Sequence, residues 1–220
     1  MDHGKIIVIE GLDGSGKNTQ SKILVEKLRL LNKNVKMVSM PNYNSESSGP
    51  VRMYLNYEIA DNPMKINPYA SSSFFAVDRF INYFCDWKKF YQTKDSILIC
   101  DRYSTSNMIY HLAKIKEEDW DSFLEWICTY EYKYLEIPVP DLVLYLRVPI
   151  DISQKLMENR SKTHDLHESN LGFLKLCKKS CEYVSCKFNW KIIDCYLDKN
   201  NMKPIKDISD QIFEYVKNII

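Results

Sequence analysis

Short apolar runs at residues 6–9, 35–40, 97–100, 142–148 and 190–193 punctuate the chain, each bounded by polar residues. Four of them are apolar at nearly every position, which predicts strands buried on both faces, as in a parallel sheet covered by helices; the run at 35–40 is less pure. Longer stretches with helical spacing lie between them. Leu24, Leu28 and Leu31 fall at i, i+4 and i+7 of a first helix, and others are predicted at 70–91, 105–114, 118–135, 150–158, 171–188 and 205–220. Strands alternating with helices give an α/β fold: a three-layer sandwich with a central five-stranded parallel sheet. With no repeat or low-complexity linker, the 220 residues suit one domain, 1–220. Ligands of such a sheet gather at the carboxyl ends of its strands, so the residues that follow each strand are the informative ones.

The first strand runs into Gly11-Leu12-Asp13-Gly14-Ser15-Gly16-Lys17, and a helical pattern opens beyond Asn18 and Thr19. Glycines let the backbone turn and bring its N–H groups against an anion, Lys17 adds a mobile positive charge, and the helix N-terminus adds its partial charge. The segment is a phosphate cradle of the P-loop type, and it points to a nucleoside polyphosphate. Asn18 stands where a Ser or Thr would ordinarily meet magnesium.

Composition narrows the partners. Thirty basic residues face twenty-nine acidic ones, a net charge of +1, which argues against a duplex-binding surface. No apolar run approaches the length of a membrane span, and no secretory leader is read at the start. The seven cysteines lack paired metal-ligand spacing, so reduced thiols in the cytoplasm are expected.

Pro41 ends the second strand. Asp101 and Arg102 follow the third. An Asp closing an apolar strand beside a phosphate loop has the Walker B arrangement, suited to hold the water shell of Mg²⁺, and Arg102 can fork onto phosphate oxygens. A helix cap with a surface cation is the alternative. On the predicted helix between these strands, Phe75 and Arg79 share a face at i and i+4. They suit a nucleobase, with a ring to stack and a guanidinium to meet a carbonyl; a plain core stripe is the competing reading. The polar stretch from Arg160 to Glu168 is either a solvated loop or a cationic lid, and Asp165 and Glu168 have the spacing of a capping box for the next helix.

Together these segments resemble the thymidylate (dTMP) kinase family over nearly the whole chain. The matching landmarks are GLDGSGKNTQ at 11–20, the proline after the second strand, FAVDR at 75–79, DRY and SNxxY within 101–110, PDLVLYLRVP at 140–149, and R…DLHE at 160–168. The resemblance implies a P-loop kinase that uses ATP and Mg²⁺ to phosphorylate dTMP. Residues 11–19 would hold the ATP phosphates, with Lys17 central, and Asp101 would hold the metal through water. Asp13 would reach the sugar 3′-hydroxyl, Phe75 would stack on thymine, and Arg79 would bond its 4-oxo group. Asn107 would read the base edge, Tyr110 would sit under the sugar, and Pro41 would border the acceptor. Arg102 would lie between donor and acceptor phosphates. With glycine at position 14, the catalytic cations are expected from a lid at about 159–169, from Arg160 and Lys162. A homodimer is implied as well.

The chain departs from the family pattern at Asn18, at Tyr43, where relatives often carry an arginine, and at Arg147, where an acidic residue is frequent. A monophosphate acceptor needs no general base, whereas a deoxynucleoside kinase would need a carboxylate such as Glu10 or Asp13. A nucleoside monophosphate kinase with another base preference is a further alternative. A guanine-nucleotide switch would need an N-K-x-D element, and Asn32-Lys33 is followed by Asn34-Val35.

Overall fold

The computed structural model describes residues 3–158, 165–198 and 200–220. In chain order the elements are β1 (Lys5–Glu10), α1 (Lys17–Leu30), β2 (Val35–Ser39), α2 (Gly49–Leu55), α3 (Pro68–Asn82), α4 (Lys88–Tyr91), β3 (Ile97–Asp101), α5 (Ser104–Tyr110), α6 (Trp120–Cys128), β4 (Leu142–Arg147), α7 (Ile150–Glu158), α8 (Leu171–Lys187), β5 (Lys191–Asp194) and α9 (Ile205–Val216). The five strands are all parallel, in the order β2-β3-β1-β4-β5. This is the expected five-stranded sheet flanked by helices.

Alternation along the strands divides the core into two layers. Ile6, Val8, Leu98, Cys100, Val143 and Tyr145 face a layer that includes Trp87, Phe123 and Phe173. Ile7, Ile9, Ile97, Ile99, Leu144 and Leu146 face the opposite layer, with Leu24 and Leu28 of α1 and Ile208 and Ile212 of α9. Each such side chain, taken fully from water, stabilises the fold by about 1.5–3 kcal/mol.

The prediction of strands buried on both faces holds for β1, β3 and most of β4. It fails for β5, where only Ile193 is fully buried, because β5 is a sheet edge. Trp190 precedes that strand. Edge position likewise explains the mixed character of β2. Leu31 lies just past the end of α1 and is exposed, so the apolar stripe ends at Leu28.

The long helical patterns are interrupted. The stretch at 70–91 begins earlier, at Pro68, because the Asn67 side chain caps it, and it passes through a π-helical turn at Tyr83–Trp87. The stretch at 118–135 becomes α6 followed by a second π-helical turn, Thr129–Tyr134. α5 is shorter than predicted and gives way to a 3₁₀ turn at Leu112–Lys114, and α9 stops at Val216. Helix α2 was not foreseen. It has only seven residues, although Pro50 in its first turn and the buried Val51, Tyr54 and Leu55 are its sequence signature. Among the described residues, no helix is long and apolar enough to cross a membrane.

Candidate active site

The chain leaves β1 at Glu10 and turns through 11–16 into α1. Gly14 has φ +78°, and a Cβ there would lie 2.4 Å from the Ser153 carbonyl of α7. Packing of α7 on the loop therefore leaves no room for a larger residue such as arginine at this position. Gly16, at φ +84°, starts α1 from the left-handed conformation that glycine adopts without strain. Asp13, Gly14, Gly16, Lys17 and Asn18 line a cavity of about 480 Å³ together with Asp101 and Arg102. Gly11, Leu12, Ser15 and Thr19 are off its wall: the Leu12 side chain belongs to the core, and Thr19 is exposed on the helix. Lys17 Nζ donates to the Leu12 carbonyl at 2.8 Å and to Ser15 Oγ at 3.4 Å. Burial and the nearby Arg102 cation push its pKa down to about 8, against the pull of Asp13, Asp101 and Glu10.

Sheet register sets Asp101, the last residue of β3, beside Ile9 of β1, so the carboxylate meets the phosphate loop. Its Oδ2 accepts from Asn18 Nδ2 at 3.0 Å. The amino end of the amide, and not its oxygen, thus faces the carboxylate. Arg102 follows at φ +68°, a left-handed conformation that costs a non-glycine residue energy and recurs at functional sites. It donates to the Gly11 carbonyl at 3.3 Å and to Ser106 Oγ at 3.4 Å, and it pairs with Asp13 Oδ1. The other Asp13 oxygen accepts from Tyr110 Oη at 2.8 Å. Burial alone would raise the Asp13 pKa, but Arg102, Lys17 and the Tyr110 hydroxyl overcome it and hold the carboxyl at about 2.

A second pocket adjoins this cavity. It is lined by Phe75 and Arg79 from α3, Asn107 and Tyr110 from α5, and Pro41, with Asp13 and Arg102 shared between the two. Phe75 is half-buried, with its ring edge-on to Tyr54 at 6.2 Å and 89°, so it is pocket wall and not closed core. Arg79 is nearly sealed: Nε donates to Glu131 Oε2 at 2.7 Å and Nη2 to Glu131 Oε1 at 3.0 Å. Asn107 Nδ2 donates to the same carboxylate at 2.8 Å and to the Ser72 carbonyl at 3.1 Å. Sequence reading missed Glu131, because nothing local marks it out in a stretch read as ordinary helix.

Other residues were legible by type but not by role. Glu10 is fully buried beneath the loop, where it accepts from Gly11 N at 2.9 Å, Thr105 Oγ1 at 2.6 Å and Ser106 Oγ at 2.9 Å. It ties α5 to the phosphate loop. Asp78, inside FAVDR, accepts from Asn42 N at 3.1 Å and Ser47 Oγ at 2.5 Å, which pins the segment after Pro41 onto α3. Tyr43 lines both cavities, as does Arg102, while Arg52 of α2 lies off their walls and donates to the Tyr43 and Ser45 carbonyls at 3.0 Å each. Arg147, which sequence reading could not explain, forks onto its register partner Asp194 at 2.5 and 2.8 Å across the sheet edge.

Arg160 and Lys162 lie outside the described residues. The segment that follows them does reach the site. Leu166 packs against Val51, Tyr54 and Leu55, and His167 stacks on Tyr110 at 5.1 Å and 11°. His167 Nε2 also lies 3.0 Å from Tyr54 Oη, and burial together with Lys114 lowers its pKa to about 3. Asp165 faces Asp13, and burial plus that neighbouring charge raises its carboxyl to about 7. Asp165 Oδ1 accepts from His167 N at 2.8 Å and Glu168 N at 2.9 Å, while Asp165 N donates to Glu168 Oε2 at 3.3 Å. The reciprocal capping box forms, but on a turn; α8 is capped by Asn170 instead.

The thymidylate kinase family model matches residues 9–205. A probable thymidylate kinase of Methanocaldococcus jannaschii is 29% identical over 219 residues, covering 100% of this chain and 99% of that protein. A thymidylate kinase of Plasmodium falciparum is 27% identical over 221 residues, covering 98% and 91%. The solved structure of Candida albicans thymidylate kinase superposes with a TM-score of 0.74 at 21% identity, covering 98% of this chain and 92% of the other, a likeness of fold. The match of the family model across the phosphate loop, the DR pair and the adjoining pocket means that the chain belongs to the thymidylate kinase family.

Proposed function

We propose that this protein transfers the γ-phosphoryl group of ATP to the 5′-phosphate of dTMP, giving dTDP. The observation that carries this is the junction of two cavities at Asp13 and Arg102, one built from the phosphate loop and the other from Phe75, Arg79, Asn107 and Tyr110. A base in the second pocket directs its sugar toward Asp13 and its phosphate toward Arg102.

No side chain has to act as a base. A monophosphate with a second pKa of about 6 is already a competent nucleophile at neutral pH. The chain's contribution is to bring two polyanions into line and neutralise the charge of the transferring group. Lys17 supplies one charge from within the loop, and entry of a polyanion raises its lowered pKa and holds its proton. Arg102 supplies a second: burial opposes its charge, but Asp13, Tyr110 and Glu10 hold its pKa well above the ordinary value. It stands fixed before the substrate arrives, and preorganised charge of this kind acts at no further cost during the reaction.

Mg²⁺ fits the donor set. Asp101 offers the cavity a carboxylate that accepts from the neutral Asn18 amide, and among the described residues no cluster of three acidic, His or Cys side chains forms a cage. An ion that keeps its waters and binds chiefly through nucleotide phosphates suits that arrangement, with Asp101 reached through water. Bound there, the ion would supply charge neutralisation to the phosphates.

We further propose that the enzyme is cytoplasmic, forms one domain, uses Arg160 as a further cation and assembles as a homodimer. Supporting a dimer, Val77 and Phe84 are 42% and 60% exposed, one heptad apart along α3 and its π-helical turn. Light scattering that gave a monomer would remove that part. The two carboxylates named as bases for a deoxynucleoside kinase are both engaged: the sealed Glu10 is occupied by three donors, and Asp13 is held at about 2 between Arg102 and Tyr110. The test is a panel of nucleoside monophosphates with ATP, reading ADP formation. Turnover that depends on dTMP is expected. ATP hydrolysis indifferent to the acceptor, or no advantage of dTMP over the other monophosphates, would overturn the proposal.

A further inference from the structure

Glu131 is not on the pocket wall, yet it touches two polar side chains that are, Arg79 and Asn107. It sits in the π-helical turn Thr129–Tyr134, a geometry that inserts an extra residue into a helix and recurs at functional sites. It is fully buried, against Arg79 at 3% exposure and Asn107 at 2%.

An arginine has five N–H donors and an asparagine amide has two plus an acceptor oxygen. Glu131 engages Arg79 through Nε and Nη2. Asn107 Nδ2 lies against two acceptors, Glu131 Oε1 and the Ser72 carbonyl, so both amide hydrogens are used and the orientation of the amide is set. Two atoms remain without a hydrogen-bonding partner among the described residues, Arg79 Nη1 and Asn107 Oδ1. Among the described residues, the unpartnered side-chain polar atoms sealed from solvent are Gln20 Oε1, Ser21 Oγ, Ser72 Oγ, Trp87 Nε1 and Ser96 Oγ. Arg79 Nη1 and Asn107 Oδ1 are not among them, so they are open to the pocket that both side chains line.

We propose that Glu131 is a positioning residue that makes the pocket present one donor beside one acceptor, and thereby restricts it to bases carrying a carbonyl next to a ring N–H. This rests on the nucleotide-kinase reading of the site and adds to it the origin of base selection. Thymine, uracil, guanine and hypoxanthine carry that edge. Cytosine and adenine carry an amino group next to a bare ring nitrogen, which would set donor against donor and lone pair against lone pair. Sites built to hydrogen-bond a substrate reject mismatched analogues strongly, because buried groups are left unpaired. Without Glu131 the Asn107 amide is held only by Ser72 and can turn over, which removes the lone-pair mismatch and leaves Arg79 alone to oppose an amino group.

Glu131→Gln keeps shape and volume while removing one acceptor and the charge. We expect the KM for dTMP to rise tenfold or more, with kcat and the KM for ATP within about threefold of the parent. The preference for dTMP over dCMP in kcat/KM should fall at least tenfold. A variant that melts earlier and loses kcat on every acceptor alike, with the preference unchanged, would overturn the proposal and leave Glu131 a structural ion-pair partner. Should that variant not fold, the parent decides: dTMP methylated at N3 should bind at least a hundredfold more weakly, and equal binding overturns the inference. If the parent favours dGMP, the dTMP assignment fails while the edge rule stands and is tested on dGMP against dAMP. A parent that favours dCMP or dAMP refutes the edge rule itself.

Discussion

Replacing Lys17 with methionine should make the protein more stable and nearly inactive at once. The Lys17 ammonium is almost sealed inside the loop, at 7% exposure, and burial with Arg102 lowers its pKa from 10.5 to about 8. That difference corresponds to about 3 kcal/mol. The sign follows from linkage: the folded value is the lower one, so the charge costs stability at every pH below about 8, and the cost fades as pH rises toward 10.5. Methionine removes this cost but gives up the hydrogen bond to the Leu12 carbonyl, about 1 kcal/mol. The net gain of about 2 kcal/mol should raise the Tm of the nucleotide-free protein by about 4–8 °C. The same charge is used most in the transition state, and loss of one preorganised donor costs about 10²–10³ in kcat. Thermal melts with and without ATP and Mg²⁺, beside initial rates of ADP formation, measure both effects. ATP should stabilise the parent more than the variant. A variant that melts below the parent without nucleotide, or one that keeps activity within tenfold, refutes the electrostatic reading of the loop.

Other substitutions separate the remaining parts. Phe75→Ala should weaken dTMP binding by about 1–3 kcal/mol, the range for a base stacked on an aromatic ring, and leave ATP affinity unchanged in calorimetry; equal losses for both would return Phe75 to the core. Asn18→Thr should keep kcat within a few-fold, whereas Asp101→Asn, which removes the carboxylate that Asn18 now holds, should lower activity and raise the Mg²⁺ concentration at half-maximal rate. A magnesium titration in which both variants behave alike would contradict this. Lys114 Nζ donates to Tyr54 Oη at 2.6 Å and Ser71 Oγ at 2.9 Å, beside His111 and His167, and burial lowers its pKa to about 7. Its charge therefore destabilises the fold fully below pH 7 and progressively less above it. Parent Tm should climb between pH 7 and 9 more steeply than that of Lys114→Met, and parallel profiles would refute the assignment.

Strand positions, layer architecture, the phosphate loop and the DR pair were legible in the sequence, because each is written locally. An apolar run long enough for a strand, a glycine where φ must be positive, and an aspartate closing a strand need no knowledge of distant residues. Phe75 and Arg79 were placed on one helix face for the same reason. Local pattern could not place what joins residues far apart. Glu131 lies 52 residues from Arg79 and meets it only because a π-helical turn redirects the chain beneath the pocket. Tertiary packing alone decided that Glu10 is locked beneath the loop while Asp13 faces the site, although both are acids beside the same glycine run. The backbone carbonyl of Ser153 fills the space above Gly14, and no property of the loop sequence reports that. Arg147, opaque in the sequence, is accounted for by its register partner Asp194. Short-range sterics and hydrophobic periodicity fix the elements and the chemistry they carry. Which charges are paired, sealed or free depends on contacts between elements, and those exist only after the sheet has brought its strands together.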